Sequence, residues 1–220
     1  MKCISTIAVA AGLSLAAAGS SAVNLPEGVT TPLPGTTLAA SPQLAGVVLE
    51  DEVQAYSFTT LSGTLSGTVQ SRVVRSSVDG TLDFYWRVIN DGASTGSLSA
   101  FRLGEFHAPE YNADWRLDGL GSAAPAVAFH FAGAMSSYVN FEFVSGPAGN
   151  TMTPGTGSYF MFLDTSALNY ARSGIYDVTG EGNLSNLYTT FAPAVPEPAT
   201  YGLLLAGLAV VGAAAYRRRG

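Results

Sequence analysis

The sequence predicts an all-β fold, a single β-sandwich of jelly-roll or immunoglobulin-like type set between two apolar terminal segments. Three observations predict it. Between residues 46 and 191 apolar residues recur at every second position in short runs, the period of a strand with one buried face. The runs are broken by Gly, Asp, Asn and Pro, and Asp79-Gly80 stands between two long alternating runs, a strong short-range hairpin signal. No segment shows a convincing amphipathic helical repeat, and no period suggests a solenoid or propeller. Eight or nine short strands at fairly even spacing then point to two packed sheets.

The elements follow in chain order. Residues 1–22 open with one basic residue, Lys2, and run without charge to Ala18, which reads as a secretory signal. Ser20-Ser21-Ala22 places small residues where a signal peptidase needs them, so cleavage is expected after Ala22, with Ala18 as the next choice. Cys3 is the one cysteine of the 220 residues. It precedes the apolar run, so no lipobox is formed and cleavage removes the only thiol. Residues 23–45 hold Pro26, Pro32, Pro34 and Pro42 and read as an extended lead-in that contributes at most an edge strand. The ectodomain proper is expected over 46–191. Strands are predicted over 54–59, 64–76, 81–90, 98–106, 127–131, 138–144, 159–163, 175–180 and 184–191. Within 81–90, Leu82, Phe84, Trp86 and Val88 share one face, which makes Trp86 a core candidate, while Tyr85 and Ile89 point to solvent or to a second layer. Phe129 with Phe131, Phe141 with Phe143, and Phe160 with Phe162 alternate along three strands and are expected to form an aromatic core between the sheets.

The C-terminal segment, residues 192–220, has three parts. Val195-Pro196-Glu197-Pro198 comes first, and its two prolines keep the chain extended. Residues 199–216 are uncharged, and 18 residues at helical rise span roughly 27 Å, close to the hydrocarbon thickness of a bilayer. Arg217, Arg218 and Arg219, followed by Gly220, form a basic tail that holds the terminus in the cytoplasm. In this order, at this end of the chain, the three parts resemble the PEP-CTERM sorting signal of Gram-negative bacteria, which has also been catalogued as an ice-binding protein C-terminal domain. The resemblance covers about the last 26 residues. It implies recognition by an exosortase, with Val195, Pro196, Glu197 and Pro198 as the sorting motif and Arg217, Arg218 and Arg219 as the retention tail. It also implies export linked to exopolysaccharide or biofilm matrix. The expected route is the Sec translocon, then anchorage in the inner membrane with the ectodomain in the periplasm, then the cell surface or matrix after processing.

Composition narrows the ectodomain's partners. The chain carries −6 formally, but Lys2 and the three terminal arginines lie in its ends. What remains, residues 23–198 with Glu197 of the sorting motif included, has six arginines against all sixteen carboxylates, or −10. That argues against a nucleic-acid partner, which needs clustered Lys and Arg, and makes neutral sugars, metal-bridged polymers or proteins better candidates than anions bound by charge.

Candidate chemistry is sparse. Gly92-Ala93-Ser94-Thr95-Gly96 matches a nucleophile-elbow pattern, but it joins two strands, whereas the elbow requires a strand-to-helix turn. His107, with Glu105 and Glu110, sits in a predicted loop, and His130 alternates with two phenylalanines. Glu50-Asp51-Glu52 could offer oxygen ligands to Ca²⁺, although without a recognised calcium spacing it reads as a solvated turn. Asn183-Leu184-Ser185 fits a glycosylation acceptor and means little in a bacterial chain. Trp115, flanked by Asp114 and Asp118, is either a platform for a sugar ring or a loop tryptophan tucked against the sandwich edge. No catalytic residue, metal ligand or cofactor site is assigned. The expected protein is a non-enzymatic, exported β-sandwich associated with extracellular polysaccharide. The alternatives are a polysaccharide hydrolase or lyase, or an ice- or glycan-binding adhesin, although no regular Thr-x-Thr array is present.

Overall fold

The computed structural model describes residues 21–107, 111–131, 138–143 and 151–194. The signal segment up to residue 20, the sorting motif, the apolar span and the basic tail lie outside them. The described chain is a two-layer sandwich in which every pairing between named strands is antiparallel. Its strands are β1 (Val23–Asn24), β2 (Thr30–Pro32), β3 (Gly46–Thr60), β4 (Gly63–Ser76), β5 (Leu82–Asn90), β6 (Leu98–Gly104), β7 (Asn112–Trp115), β8 (Val127–Phe131), β9 (Tyr138–Glu142), β10 (Met161–Asp164), β11 (Tyr170–Gly180), β12 (Asn183–Leu184) and β13 (Tyr188–Pro193). The first sheet runs β1-β7-β10-β5-β4-β3. The second runs β12-β11-β6-β9-β8-β2, with β13 also on β11.

The meander β3-β4-β5 supplies half of the first sheet from local hairpins. Its second turn closes where Asp79-Gly80 was expected: Gly80 takes φ +78°, and Asp79 accepts from both the N–H and the hydroxyl of Thr81, at 3.0 and 2.6 Å. A left-handed backbone at that point favours glycine. Of the remaining strands, β1, β7 and β10 complete the first sheet and the others form the second.

The space between the sheets is filled from the inward positions of β4, β5, β6, β9 and β11. Leu65, Val69 and Val73 alternate on β4, and Leu82, Phe84, Trp86 and Val88 on β5, all buried. Trp86 packs edge-on to Phe106, with centroids 5.7 Å apart, and its indole N–H donates to Thr190 Oγ1 at 2.9 Å. The aromatic bulk is thus buried without stranding its polar atom. Phe141 and Phe143 join this core.

The other two phenylalanine pairs depart from expectation. On β8 the phase is reversed: Ala128 and His130 face inward, while Phe131 is 45% exposed and stacks edge-on to Phe129 at 4.3 Å. Phe160 and Phe162 are buried, but in a separate cluster with Leu44, Val74 and Tyr85 on the outer face of the first sheet. The sandwich therefore has a third layer on that side, made by residues 35–45. These residues form more than a lead-in with one edge strand, because the stretch 23–45 also contributes β1 to the first sheet and β2 to the second.

Candidate functional site

Residues 35–45 act as a strap across the outer face of the first sheet, and side chains of that face tie it down. Gly35 begins the crossing at φ +84°, where an added Cβ would lie 2.6 Å from the Trp115 ring, so only glycine passes. Its N–H donates to Asp114 Oδ1 at 2.8 Å, the Leu38 N–H donates to Asp118 Oδ2 at 2.9 Å, and Gln43 Nε2 reaches Asp164 Oδ2 at 3.5 Å. A short 3₁₀ turn, Pro42–Leu44, then lays Leu44 over the sheet, and the Tyr85 hydroxyl donates to the Leu44 carbonyl at 3.1 Å. The strap ends where the Ser77 N–H donates to the Ala45 carbonyl at 2.9 Å.

Between this strap, β3 and the loop after β7 lies a pocket of about 530 Å³. Its floor is Val74, Tyr85 and Phe160, its strap wall includes Leu38 and Leu44, and its far wall carries Leu120, which is 66% exposed. Two guanidinium groups enter it. Arg72 lies 4.8 Å from the Phe160 ring centroid and donates to Asp51 at 2.7 Å. Arg116 donates to Asp118 at 2.7 Å. Burial opposes ionisation of Asp118, but the bonds from Arg116 and the Leu38 N–H outweigh it and hold the carboxyl below its usual range. The arrangement offers an apolar, partly aromatic floor with charged hydrogen-bond donors at one side, the common design of a small-ligand pocket.

The residues singled out in the sequence fall as follows. Trp115 is not an exposed platform. It is 9% exposed, its ring lies 4.8 Å from that of Tyr159, and its indole N–H donates to the Leu33 carbonyl at 3.2 Å. Asp114 is fully buried and also accepts from the Trp115 N–H at 2.9 Å. Burial pushes its carboxyl up to about 6 against the two backbone bonds that favour the anion. Of the three, Asp118 alone lines the pocket. Ser94 clamps the neighbouring strand: its Oγ donates to the Ser66 carbonyl at 2.9 Å and accepts from the Ser66 N–H at 3.0 Å. His130 is buried edge-on to Tyr111 at 4.8 Å, 3.4 Å from the Leu25 carbonyl. His107 is exposed and lies 3.4 Å from Glu105, while Glu110 is outside the described residues. Glu50, Asp51 and Glu52 lie within β3, not in a turn, and accept from Tyr170, Arg72 and Arg172 respectively. Among the described residues no group of three His, Cys, Asp or Glu could hold a metal ion, and no helix is long and apolar enough to cross a membrane.

One constellation escaped the sequence reading. Asp83 on β5 and Asp164 on β10 are cross-strand partners under the strap. Asp83 is fully buried. Burial, with the neighbouring Asp164 charge added, pushes its carboxyl up to about 9, so it is protonated at neutral pH and can donate to Asp164. Burial raises Asp164 as well, against the hydrogen bond from Gln43 at 3.5 Å, while both Asp83 oxygens are buried without a hydrogen-bond partner. In sequence Asp83 occupies an outward strand position, which reads as solvated, and Asp164 falls just past the strand predicted over 159–163. The strap reaches the pair through Gln43 and Asp164.

No curated protein and no solved structure matches the chain. Residues 194–219 match the family model described as the PEP-CTERM protein-sorting motif. That match covers the motif, the apolar span and the arginines, and it implies processing by an exosortase and a membrane-processed, exported, cell-surface protein. The chain is thus a β-sandwich that carries a PEP-CTERM sorting motif at its C-terminus.

Proposed function

We propose that this protein is a non-enzymatic component of the extracellular matrix, delivered through exosortase processing and associated there with exopolysaccharide. The observation that carries the reading is the sorting motif placed directly after the sandwich: β13 ends at Pro193 and the match begins at 194. Two features of the ectodomain support it. Ser94, Asp114 and Trp115 are tied into structural hydrogen bonds, and the outer face of the first sheet presents an open pocket. Anchorage in the inner membrane, with the sandwich in the periplasm, precedes release to the surface.

The test replaces Pro196 and Glu197 by Ala in an exosortase-bearing host. The double variant is expected to accumulate at full length in the membrane fraction and to be missing from the matrix. A shortened form at wild-type levels would refute recognition through the motif.

A second reading has one observation in its favour, the Asp83–Asp164 pair, since two carboxyls of unequal protonation are what glycoside hydrolysis requires. Against it, Asp83 has no exposed surface, and a general acid must reach the bond it protonates. New reducing ends formed from host polysaccharide, and abolished by Asp83→Asn, would establish the hydrolase.

A further inference from the structure

The ectodomain is acidic overall, yet its arginines are not spread evenly. Three of the six, Arg72, Arg87 and Arg116, lie on the outer face of the first sheet around Phe160. The register makes this plain. Arg72 is the partner of Tyr85 and Arg87 of Gln70 across β4–β5, and the Arg116 N–H donates to the Phe160 carbonyl at 2.9 Å. The other three are used elsewhere. Arg75 caps carbonyls of Gly80 and Leu168, Arg102 forms a two-point pair with Asp177, and Arg172 pairs with Glu52.

The outer-face arginines keep donors in hand. Arg87 gives its Nε to the Ser158 carbonyl at 3.2 Å. Arg72 gives one nitrogen, Nη2, to Asp51, and its Nε is buried out of reach of the pocket, which leaves Nη1 as its spare donor nitrogen. Arg116 gives its Nε to Asp118 and interacts with the Tyr85 phenol. Of the three, Arg72 and Arg116 line the pocket, and a guanidinium has five N–H donors, so each keeps donors beyond those given to Asp51 and Asp118. Asp83, Asp114 and Asp164 occupy the same face, but none of them lines the pocket.

From this patch we infer that the pocket between the strap and the loop after β7 binds an acidic sugar unit of a polysaccharide, with Arg116 and Arg72 as the donors to its carboxylate. A uronate supplies both halves of the complement. The apolar face of its ring suits the floor of Tyr85, Phe160 and Val74, and its planar carboxylate suits the fork of a guanidinium. A volume of about 530 Å³ falls within the usual range of small-ligand sites. The inference rests on the proposed polysaccharide association and names its chemistry. Arg72 and Arg116 are each paired with an aspartate, so recognition rests on their directed donors and not on an excess of positive charge.

The experiment uses the full chain in detergent micelles, titrated with oligogalacturonate and with a neutral malto-oligosaccharide of equal length. The acidic oligomer is expected to bind at least about tenfold tighter, with affinity falling as salt is raised. Arg116→Gln is expected to weaken it by about tenfold, and Arg102→Gln, on the second sheet, to leave it unchanged. Leu120 makes none of the strap's bonds, so Leu120→Glu and Leu120→Arg keep the fold and should weaken and tighten binding respectively. Unchanged Trp86 and Trp115 fluorescence serves as the check on folding. Equal affinity for the two oligomers, or indifference to both Leu120 variants, would overturn the inference while leaving polysaccharide association standing. Failure to bind any host polysaccharide would remove both. Binding to anionic lipid vesicles with the same Leu120 dependence, and not to the oligomer, would also overturn it.

Discussion

Replacing Asp83 by Asn should make the protein more stable at alkaline pH and remove most of its pH dependence. In the folded chain the Asp83 carboxyl is held protonated up to about 9, first by burial and then by Asp164. In the unfolded chain it ionises near the ordinary value of 3.8. Between these limits the folded state binds a proton that the unfolded state has lost, so stability must fall as pH rises. Each pH unit within the window costs about 1.4 kcal/mol per proton, which gives about 4 kcal/mol from pH 5 to pH 8 as an upper figure. Relaxation and water entry at buried sites reduce such differences, so the expected loss is about 2–4 kcal/mol. Asp114, raised to about 6, adds to the decline only at the acid end of the range. Asn keeps the shape and can donate to Asp164, so the variant should match the wild type near pH 5 and exceed it by about 2 kcal/mol at pH 8. Urea unfolding of the full chain in micelles, followed by tryptophan emission, reads this directly, because the two tryptophans of the sequence, Trp86 and Trp115, both lie in the sandwich. A wild-type midpoint that is flat or rises from pH 5 to pH 8, or an Asn variant that keeps the full slope, would refute the reasoning.

Other substitutions separate the strap, the strand clamp and the core. Gly35→Ala places a Cβ against the Trp115 ring in a left-handed backbone. It should cost about 2–4 kcal/mol, with a red shift of tryptophan emission as the strap lifts; an unshifted spectrum at wild-type stability would contradict the account. Ser94→Ala removes two bonds to the Ser66 backbone. It is expected to cost about 1–2 kcal/mol in urea unfolding while leaving delivery to the matrix at wild-type levels in fractionated cells. Trp86→Ala, at the centre of the core and with a bond to Thr190, should cost about 3–5 kcal/mol and leave little folded protein after export.

How far the sequence could be read depended on whether the physics was local. β4, β5 and β8 follow their period-two runs closely, since alternation is a property of a strand by itself. Alternation does not say which face is inside. On β8 the two phenylalanines look like the buried set, yet the smaller Ala128 and the histidine face the interior, where Tyr111 meets the imidazole edge. β7 was missed because Asn112-Ala113-Asp114-Trp115 is short and polar, and it becomes a strand only through pairing with β1 and β10. The pocket was invisible for the same reason. Its walls come from the strap, β3 and the loop after β7, and nothing in a Pro-rich lead-in reveals that it will cover Tyr85 and reach Asp164. Asp118 was found beside the wrong partner: the informative neighbour was Arg116, not Trp115.

The strap's contacts also bear on the order in which the sandwich can fold. The strap belongs to the first part of the ectodomain to emerge, but its partners come much later in the chain. Gly35 waits for Asp114, 79 residues on, and Gln43 waits for Asp164, 121 residues on. Tyr85 can receive Leu44 early, since only 41 residues separate them. Contacts this distant in sequence form slowly, because loop-closure entropy precedes their reward. The last strand, β13, pairs back onto β11 and brings Thr190 to the Trp86 indole. It ends one residue before the segment matched by the sorting motif. The sandwich therefore cannot complete its core until residue 193 has emerged, just ahead of the motif, whereas the pocket lining is complete once Phe160 has arrived. At most roughly 10 Å of chain, three residues, separates Pro193 from Pro196 of the matched motif. Variants that slow core completion, such as Trp86→Ala, should thus alter the timing of processing as well as the yield of the protein.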